Sequence, residues 1–336
     1  MDAALPRVRH GAGGVRSSVS VIVCAYTDRR WELLVEAIGS IRGQSEPPEQ
    51  IVLVIDHNPQ LLERARTTFP DARVVPNEDT QGLSGARNTG VRHCTGDVLV
   101  FLDDDASGHP DWLATLLAPF SDPLVMGAGG AALPAWDGAP PRWLPPEFLW
   151  VVGASYVGLP TQPGPIRNPI GANMAFRSEA FARAGAFTEG IGRVGRTPLG
   201  CEETEFSIRL RQTVPGAIIL YLPAARVDHH VPSDRTTWSY FTSRCWAEGV
   251  SKALVTGLVG DKDGLSSERA YVVRALAGGL VRGVRDVGRG DFAGLARAGM
   301  IVVGLGCTTA GFGRGRAAAW ARGRRAREVV RPDLDR

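Results

Sequence analysis

Asp97-Val98-Leu99-Val100-Phe101-Leu102-Asp103-Asp104-Asp105 decides how this chain is read. The apolar run from Val98 to Leu102 has the length and composition of a strand buried on both faces. Three carboxylates end it abruptly. Burying charge is costly, so this end must meet solvent, a cation or both. Along an extended backbone Asp103 and Asp105 point to the same side. Two hard oxygen donors so placed suit Mg²⁺ or Mn²⁺ carrying a diphosphate. In open α/β sheets, the C-terminal ends of strands are also where ligands bind. Two blander readings compete. The acids could form a solvated turn, as loops at strand ends commonly do. They could also begin a calcium loop, since Asp103, Asp105, Ser107 and Gly108 imitate one. That loop requires a bidentate Glu where Ala114 stands, and a helix where the strand precedes.

Working outward, Val19 to Cys24 reads as a first buried strand. Residues 29–42 carry Trp31, Leu34, Ile38 and Ile41 at helical spacing. Ile51 to Ile55 is a second strand closed by Asp56, and residues 60–69 form a helix that Pro70 stops. A third strand at Arg73 to Val75, a helix at Ser84 to Cys94 and a helix opened by Pro110 complete the alternation. Such alternation predicts βαβ units and a mostly parallel sheet. After residue 130 the rhythm breaks. Residues 133–170 are rich in Pro, Gly and Trp, and their aromatic content predicts an ordered loop. Residues 171–182 and 202–212 read as helices and Ile218 to Leu222 as a strand. The chain from 236 onward reads as mainly helical.

The whole chain, 336 residues long, is enough for one large domain or two smaller ones. Its five cysteines are scattered, without a CxxC pair. That argues against a disulfide framework or a zinc site and fits a reducing cytosol. Residues 1–17 hold Arg7, Arg9 and Arg16 without an apolar core segment, so they read as a loose tail rather than a signal peptide. The formal net charge of +3 hides an asymmetry. From residue 264 onward there are fourteen arginines, no lysine and six acids, a net of +8, which leaves −5 for residues 1–263. A basic end on an acidic body predicts an anionic partner surface. The stretch holds few aromatics (Tyr271, Phe292, Phe312 and Trp320) and no nucleic-acid motif, so lipid is favoured over nucleic acid. Val272, Val273, Leu276, Leu280 and Val284 alternate with arginines as in interfacial helices. The uncharged run at 298–313 falls short of the roughly 20 residues that span a bilayer.

Several landmarks fall in one order. The first strand ends in Ala25-Tyr26 and the second in Asp56. Then come Gly82-Leu83-Ser84-Gly85-Ala86-Arg87-Asn88-Thr89-Gly90, the Asp103–Asp105 cluster, Gly171-Ala172-Asn173-Met174, Glu202-Glu203 and His229-His230. Over residues 18–250 the chain resembles a family 2 glycosyltransferase of the GT-A fold. The resemblance implies a Rossmann-like open sheet flanked by helices, here with a C-terminal helical extension from 251 to 336. It implies inverting transfer of a sugar from a nucleotide diphosphate sugar, with Mn²⁺ or Mg²⁺ as cofactor.

It also implies roles for individual residues. Ala25, Tyr26 and Asp56 would cradle the base, Tyr26 by stacking and Asp56 by accepting an imide N–H, which makes a UDP-sugar the favoured donor. Arg87 and Asn88 would lie near ribose or phosphate, with Asp103 at the ribose, Asp104 beside it and Asn173 lining the donor pocket. Asp105 and His230 would hold the metal. Of Glu202 and Glu203, the second matches the family's general base, with Glu205 a further candidate; N-terminal acids would also suit the helix dipole. The sequence Ser243-Arg244-Cys245-Trp246 does not match the Gln-x-x-Arg-Trp signature of processive members, which implies single-sugar transfer. The acceptor would be a hydroxyl, on a glycan, a small molecule or a lipid carrier. The protein would be cytoplasmic, with peripheral attachment at the inner face of the membrane. A sugar nucleotidyltransferase and a non-catalytic nucleotide-sugar-binding protein are the alternatives. The first lacks its Gly-rich basic loop after the first strand, where Ala25-Tyr26-Thr27-Asp28 stands.

Overall fold

The computed structural model describes residues 17–193, 199–264 and 271–329, with side chains through Ala321. Residues 1–16 of the expected tail, and the side chains of the final arginines, lie outside this set. The first half follows the alternation of apolar runs. β1 (Val19–Ala25), α1 (Trp31–Arg42), β2 (Gln50–Ile55), α2 (Pro59–Thr68), β3 (Arg73–Pro76), α3 (Leu83–His93) and β4 (Val98–Asp103) succeed one another. β2 and β4 flank β1 in parallel, and β3 adds in parallel to β2. Val21 and Val23 of β1 enter the core with α1, whereas Ile22 enters the core on the opposite face with Ala86 of α3. This two-sided burial is why β1 and β4 read as continuous apolar runs rather than alternating ones. Their register sets Cys24 beside Asp103, so several strand ends converge on the carboxylates.

The second half is mixed in direction. It comprises β5 (Ala106–Gly108), α4 (Trp112–Leu117), β6 (Val125–Trp136), β7 (Gly164–Pro165), β8 (Asn173–Arg177), α5 (Ser178–Ala184), α6 (Glu202–Thr213) and β9 (Ile218–Val231). The strand order is β3-β2-β1-β4-β8-β6-β9-β5, with β7 also paired to β9. β8 runs antiparallel between β4 and β6. The helix expected at 171–182 is therefore a central strand followed by a short helix. Asn173 to Phe176 is buried throughout, so neither a period of 2 nor of 3.6 marks it. β6 has no strand signature in the sequence because Gly127, Gly129 and Gly130 replace β-branched residues there. Packing explains them: a Cβ on Gly127 would collide with the Phe176 ring, and one on Gly130 with the Ala225 carbonyl oxygen.

Asn173 locks this junction. Its amide donates to the carbonyl oxygens of Ala131 and Ala225 at 3.0 and 2.9 Å, and its oxygen accepts from Trp112 Nε1 at 2.8 Å. Here the β6–β9 register jumps from Gly130↔Leu222 to Ala131↔Arg226. Such a bulge bends a strand and re-aims the residues beyond it. The re-aimed end of β9 pairs with β5, setting Ala106 opposite His229.

The C-terminal part is helical: α7 (Trp238–Val259), α8 (Asp261–Gly264), a turn of π-helix at Tyr271–Leu276, α9 (Ala277–Val287) and α10 (Ala293–Val329). α7 runs unbroken through position 250. Its Gly249 and Gly311 of α10 bring the two backbones together, each Cβ site being filled by the other helix's carbonyl oxygen. Trp136, Trp143 and Trp150 of the aromatic-rich segment pack with Phe148, Phe241, Leu276, Met300 and Ile301 beneath these helices. Within α10, Ala293–Ala321 is long and apolar enough to cross a membrane by length and composition. The uncharged run at 298–313 is only the middle of this helix, which is why the sequence made the segment look too short.

Candidate active site

β4 ends at Asp103, the chain turns at Asp104-Asp105, and β5 carries it back out. The backbone N–H of His230 donates to the Asp105 carbonyl oxygen at 2.8 Å, which pins that turn to β9. His229 Nε2 then lies 3.3 Å from Asp105 Oδ1. Asp103, Asp105 and His229 each offer a ligand atom, all within 4.8 Å of one another. His229 thus stands where His230 was expected. Side chains alternate along a strand, so when His229 faces Asp105 its neighbour points to the other side.

Cations gather on the same turn. Arg30 Nη1 sits 2.8 Å from Asp104 Oδ1 and 3.0 Å from Asp105 Oδ2, and Arg235 is 3.6 Å from Asp105 Oδ2. Burial works to raise the Asp105 carboxyl, but His229, Arg30 and Arg235 together hold it well below the ordinary carboxylate range. Asp104 behaves oppositely. Burial pushes its carboxyl up to about 7; Arg30 opposes that rise and Asp105 adds to it. Its Oδ2 is buried with no hydrogen-bond partner among the described residues, as is His229 Nδ1. Two orphaned polar atoms beside a ring of hard donors fit a site built to receive a further cation or donor. The sequence does not single out Arg30 or Arg235 for this role. Arg30 follows Arg29 in a short turn after β1, and only the fold shows that it is Arg30 that reaches the β4 end.

Asp56 closes the far side. Its Oδ1 accepts from Asn77 Nδ2 at 2.7 Å and its Oδ2 from the Gly82 N–H at 3.0 Å. Gly82, at φ 130°, opens α3 in a conformation that a side chain would strain. α3 carries Arg87 inward. Arg87 is 2% exposed; Nη1 donates to Glu202 Oε1 at 2.7 Å, and Nη2 to Asp103 Oδ1 at 3.2 Å and the Gly171 carbonyl oxygen at 3.0 Å. It is thus a buried strut between the acidic turn and α6. Asn88 bonds both the N–H and the carbonyl oxygen of Phe187, each at 2.9 Å. Asn88 and Asn173 brace the fold and do not line the cavity.

The three glutamates of α6 divide sharply. Glu202 is taken by Arg87. Glu205 is held by Arg209 at 2.7 Å and Thr188 at 2.9 Å. Glu203 accepts a 3.2 Å bond from Thr204 Oγ1, pairs with no cation among the described residues, and lines the cavity. Burial pushes its carboxyl up to about 8, with Glu202 reinforcing the rise. Cys201, just before the helix, has φ 74°, an unusual left-handed conformation for a residue with a side chain. Strain of this kind persists where the surroundings enforce it, commonly at functional sites.

Ala25, Tyr26, Asp56, Arg87, Asp103, Asp104, Asp105, Glu202 and Glu203 line one cavity of about 750 Å³. Beyond Glu203 the same cavity meets Arg244, Glu248 and Lys252 of α7, and then Leu276 and Leu305.

The model of the glycosyl transferase family 2 matches residues 20–185. The glucosyl-dolichyl phosphate glucuronosyltransferase of Haloferax volcanii is 32% identical over 241 residues, covering 70% of this chain and 77% of the relative. The succinoglycan biosynthesis protein ExoM of Rhizobium meliloti (strain 1021) is 28% identical over 240 residues, covering 69% of this chain and 72% of that one. The structure of a mannosyltransferase, PcManGT from Pyrobaculum calidifontis, in complex with GDP-Man and Mn²⁺, superposes with a TM-score of 0.57. It shares 18% identity and covers 89% of this chain and 87% of that one. The chain belongs to glycosyl transferase family 2. It has the GT-A fold and is a glycosyltransferase, which sets aside the nucleotidyltransferase reading.

Proposed function

We propose that the protein transfers a single sugar, with inversion, from a nucleotide diphosphate sugar to an acceptor hydroxyl. The observation that carries this is the division of labour in one cavity: Asp103, Asp105 and His229 converge at one side while Glu203 faces the same space from α6. The base of the donor lies against Tyr26 and Asp56. Oδ2 of Asp56, bonded to the Gly82 N–H, keeps a second acceptor direction for an imide N–H, which supports a uridine donor. Mn²⁺ or Mg²⁺ held by Asp103, Asp105 and His229 would offset the charge of the departing diphosphate. Arg30 and Arg235 supply further positive charge at that place.

Glu203 takes the proton of the acceptor hydroxyl. The oxygen attacks the anomeric carbon from the face opposite the diphosphate, the new C–O bond forms, and the bond to the diphosphate oxygen breaks. A carboxyl raised to about 8 is a stronger base than an ordinary glutamate once ionised. Glu202, paired with Arg87, holds the strut instead. The Haloferax relative is named for a glucosyl-dolichyl phosphate substrate, and that supports an acceptor hydroxyl carried on a lipid. The arginine-rich end supports placement at an anionic membrane surface.

The test is turnover. The full chain is incubated with a panel of UDP- and GDP-sugars and Mn²⁺, with and without a lipid-linked sugar acceptor, and products are followed by proton NMR. The reading predicts metal-dependent transfer or slow hydrolysis of one donor with a change of anomeric configuration. Retained configuration, or turnover unaffected by chelation, contradicts it.

A further inference from the structure

Of the sixteen large hydrophobic side chains exposed among the described residues, twelve lie at or beyond Trp238. Many of them share one surface. α9 and α10 form an antiparallel hairpin, with Gly283 against Gly294 and Ala298, and Gly279 against Ile301. One side of the hairpin is fixed to the body: Arg282 pairs with Glu147, Gly304 packs on Phe148, and Gly311 meets the Trp246 backbone. Helical spacing then turns Val284, Leu295 and Val302 to the opposite side. They are 65%, 65% and 60% exposed. Residues 298–313 carry no charged side chain, so the outer stripe of α10 is uninterrupted. Exposed arginines frame it: Arg274, Arg285 and Arg289 on the α9 side and Arg314 at the far end of α10.

We propose that this outer face of the α9–α10 hairpin inserts into the headgroup layer of an anionic lipid bilayer. The aliphatic side chains enter the acyl boundary and the arginines at the rim meet lipid phosphates, as amphipathic helices at interfaces do. α10 is long enough to cross a bilayer, yet its inner side is committed to α7 through Gly249, Gly311 and Gly315. It therefore lies along the surface. The cavity that holds Asp105 and Glu203 reaches the π-helical turn before α9, at Val272 and Leu276, and α10 itself, at Leu305 and Thr308. A hydroxyl on a lipid carrier would reach Glu203 from the bilayer side without leaving it. The purpose of the face rests on the transfer reading above; the insertion itself does not.

The experiment is co-sedimentation of the full chain with vesicles of phosphatidylcholine, with and without phosphatidylglycerol, at low and high salt. Wild type is expected to bind the anionic vesicles and to keep part of that binding at high salt, because aliphatic insertion is not screened. The V284D/L295D/V302D variant is expected to lose at least tenfold in partitioning at both salts. Should the aspartates prevent folding, V284S/L295S/V302S is expected to lose binding in the same direction. Titration with UDP and Mn²⁺ should be unchanged in each variant. Wild-type-like binding by the variants overturns the proposal, as does failure of the wild type to bind any vesicle. So does a lipid-free dimer of the wild type that the variants convert to monomer, which would make the face a contact between copies. Loss of nucleotide binding in wild type and variants alike counts against the transfer reading and leaves insertion standing.

Discussion

Replacing Arg87 tests the strut between the acidic turn and α6. Arg87 is buried, and its guanidinium makes three short contacts: to Glu202, Asp103 and the Gly171 carbonyl oxygen. Asp103 has a side chain 29% exposed and can recover hydration, but the Glu202 side chain is 5% exposed and cannot. Arg87→Met therefore strands one buried carboxylate. Removing one partner of a buried pair costs about 3–5 kcal/mol, whereas replacing both by apolar groups of similar volume is often close to neutral. Arg87→Met is thus expected to lose about 3–5 kcal/mol, and Arg87→Met with Glu202→Met distinctly less than the two single losses combined. A coupling energy of about 2–3 kcal/mol is at the upper end of what directly interacting side chains show. Urea denaturation of wild type, both single variants and the double variant closes the cycle. Additivity within about 0.5 kcal/mol would mean that the two side chains do not depend on one another. The strut, and with it the assignment of Glu202 as the partner of Arg87 rather than the base, would then be wrong.

Other outcomes rest on the same geometry. Glu203→Gln keeps the shape of α6 and removes the base, so transfer should fall by about 10²–10⁴-fold with donor affinity unchanged; equal loss from Glu205→Gln would contradict the division of the glutamates. Because Glu203 is held up to about 8 in the folded protein against an ordinary 4.5, kcat/KM should climb as pH rises toward 8. Its contribution to stability runs the other way: full below about pH 4.5 and lost as pH rises through about 8, so Glu203→Gln should be more resistant to urea than wild type near pH 9. Gly311→Val must push α10 from the Trp246 backbone, at a cost of about 1–3 kcal/mol for overpacking. Faster hydrogen exchange confined to α7 and α10, with intact UDP binding, is the expected signature.

The acidic turn was legible because cost forces it: three carboxylates after a doubly buried strand must serve a cation or solvent. The parallel half of the sheet was legible for a related reason, since strands buried on both faces leave continuous apolar runs. β8 and β6 were not. Asn173 to Phe176 carries no periodicity because every residue is buried, and the glycines of β6 answer to Phe176 and Ala225, which are remote in sequence. Adjacent residues posed another difficulty. His229 and His230 are equivalent in composition, and only the pairing of β5 with β9 decides which one faces Asp105. Glu202 and Glu203 likewise separate only when Arg87, more than a hundred positions away, is seen to take the first. The roles expected of Asn88 and Asn173 arose from position along the chain, yet their amides are spent on Phe187, Ala131 and Ala225.

The deciding measurement is calorimetric titration of UDP into wild type and Asp105→Ala, each with Mn²⁺ and with chelator. If Asp103, Asp105 and His229 hold a metal that carries the donor's diphosphate, wild type binds UDP far more tightly with Mn²⁺ than without. Asp105→Ala then loses that metal-dependent increment while keeping the weak binding supplied by Tyr26 and Asp56. An Asp105→Ala protein with the same Mn²⁺-dependent affinity as wild type would show that the acidic turn does not hold the metal, and the proposed mechanism would fail with it.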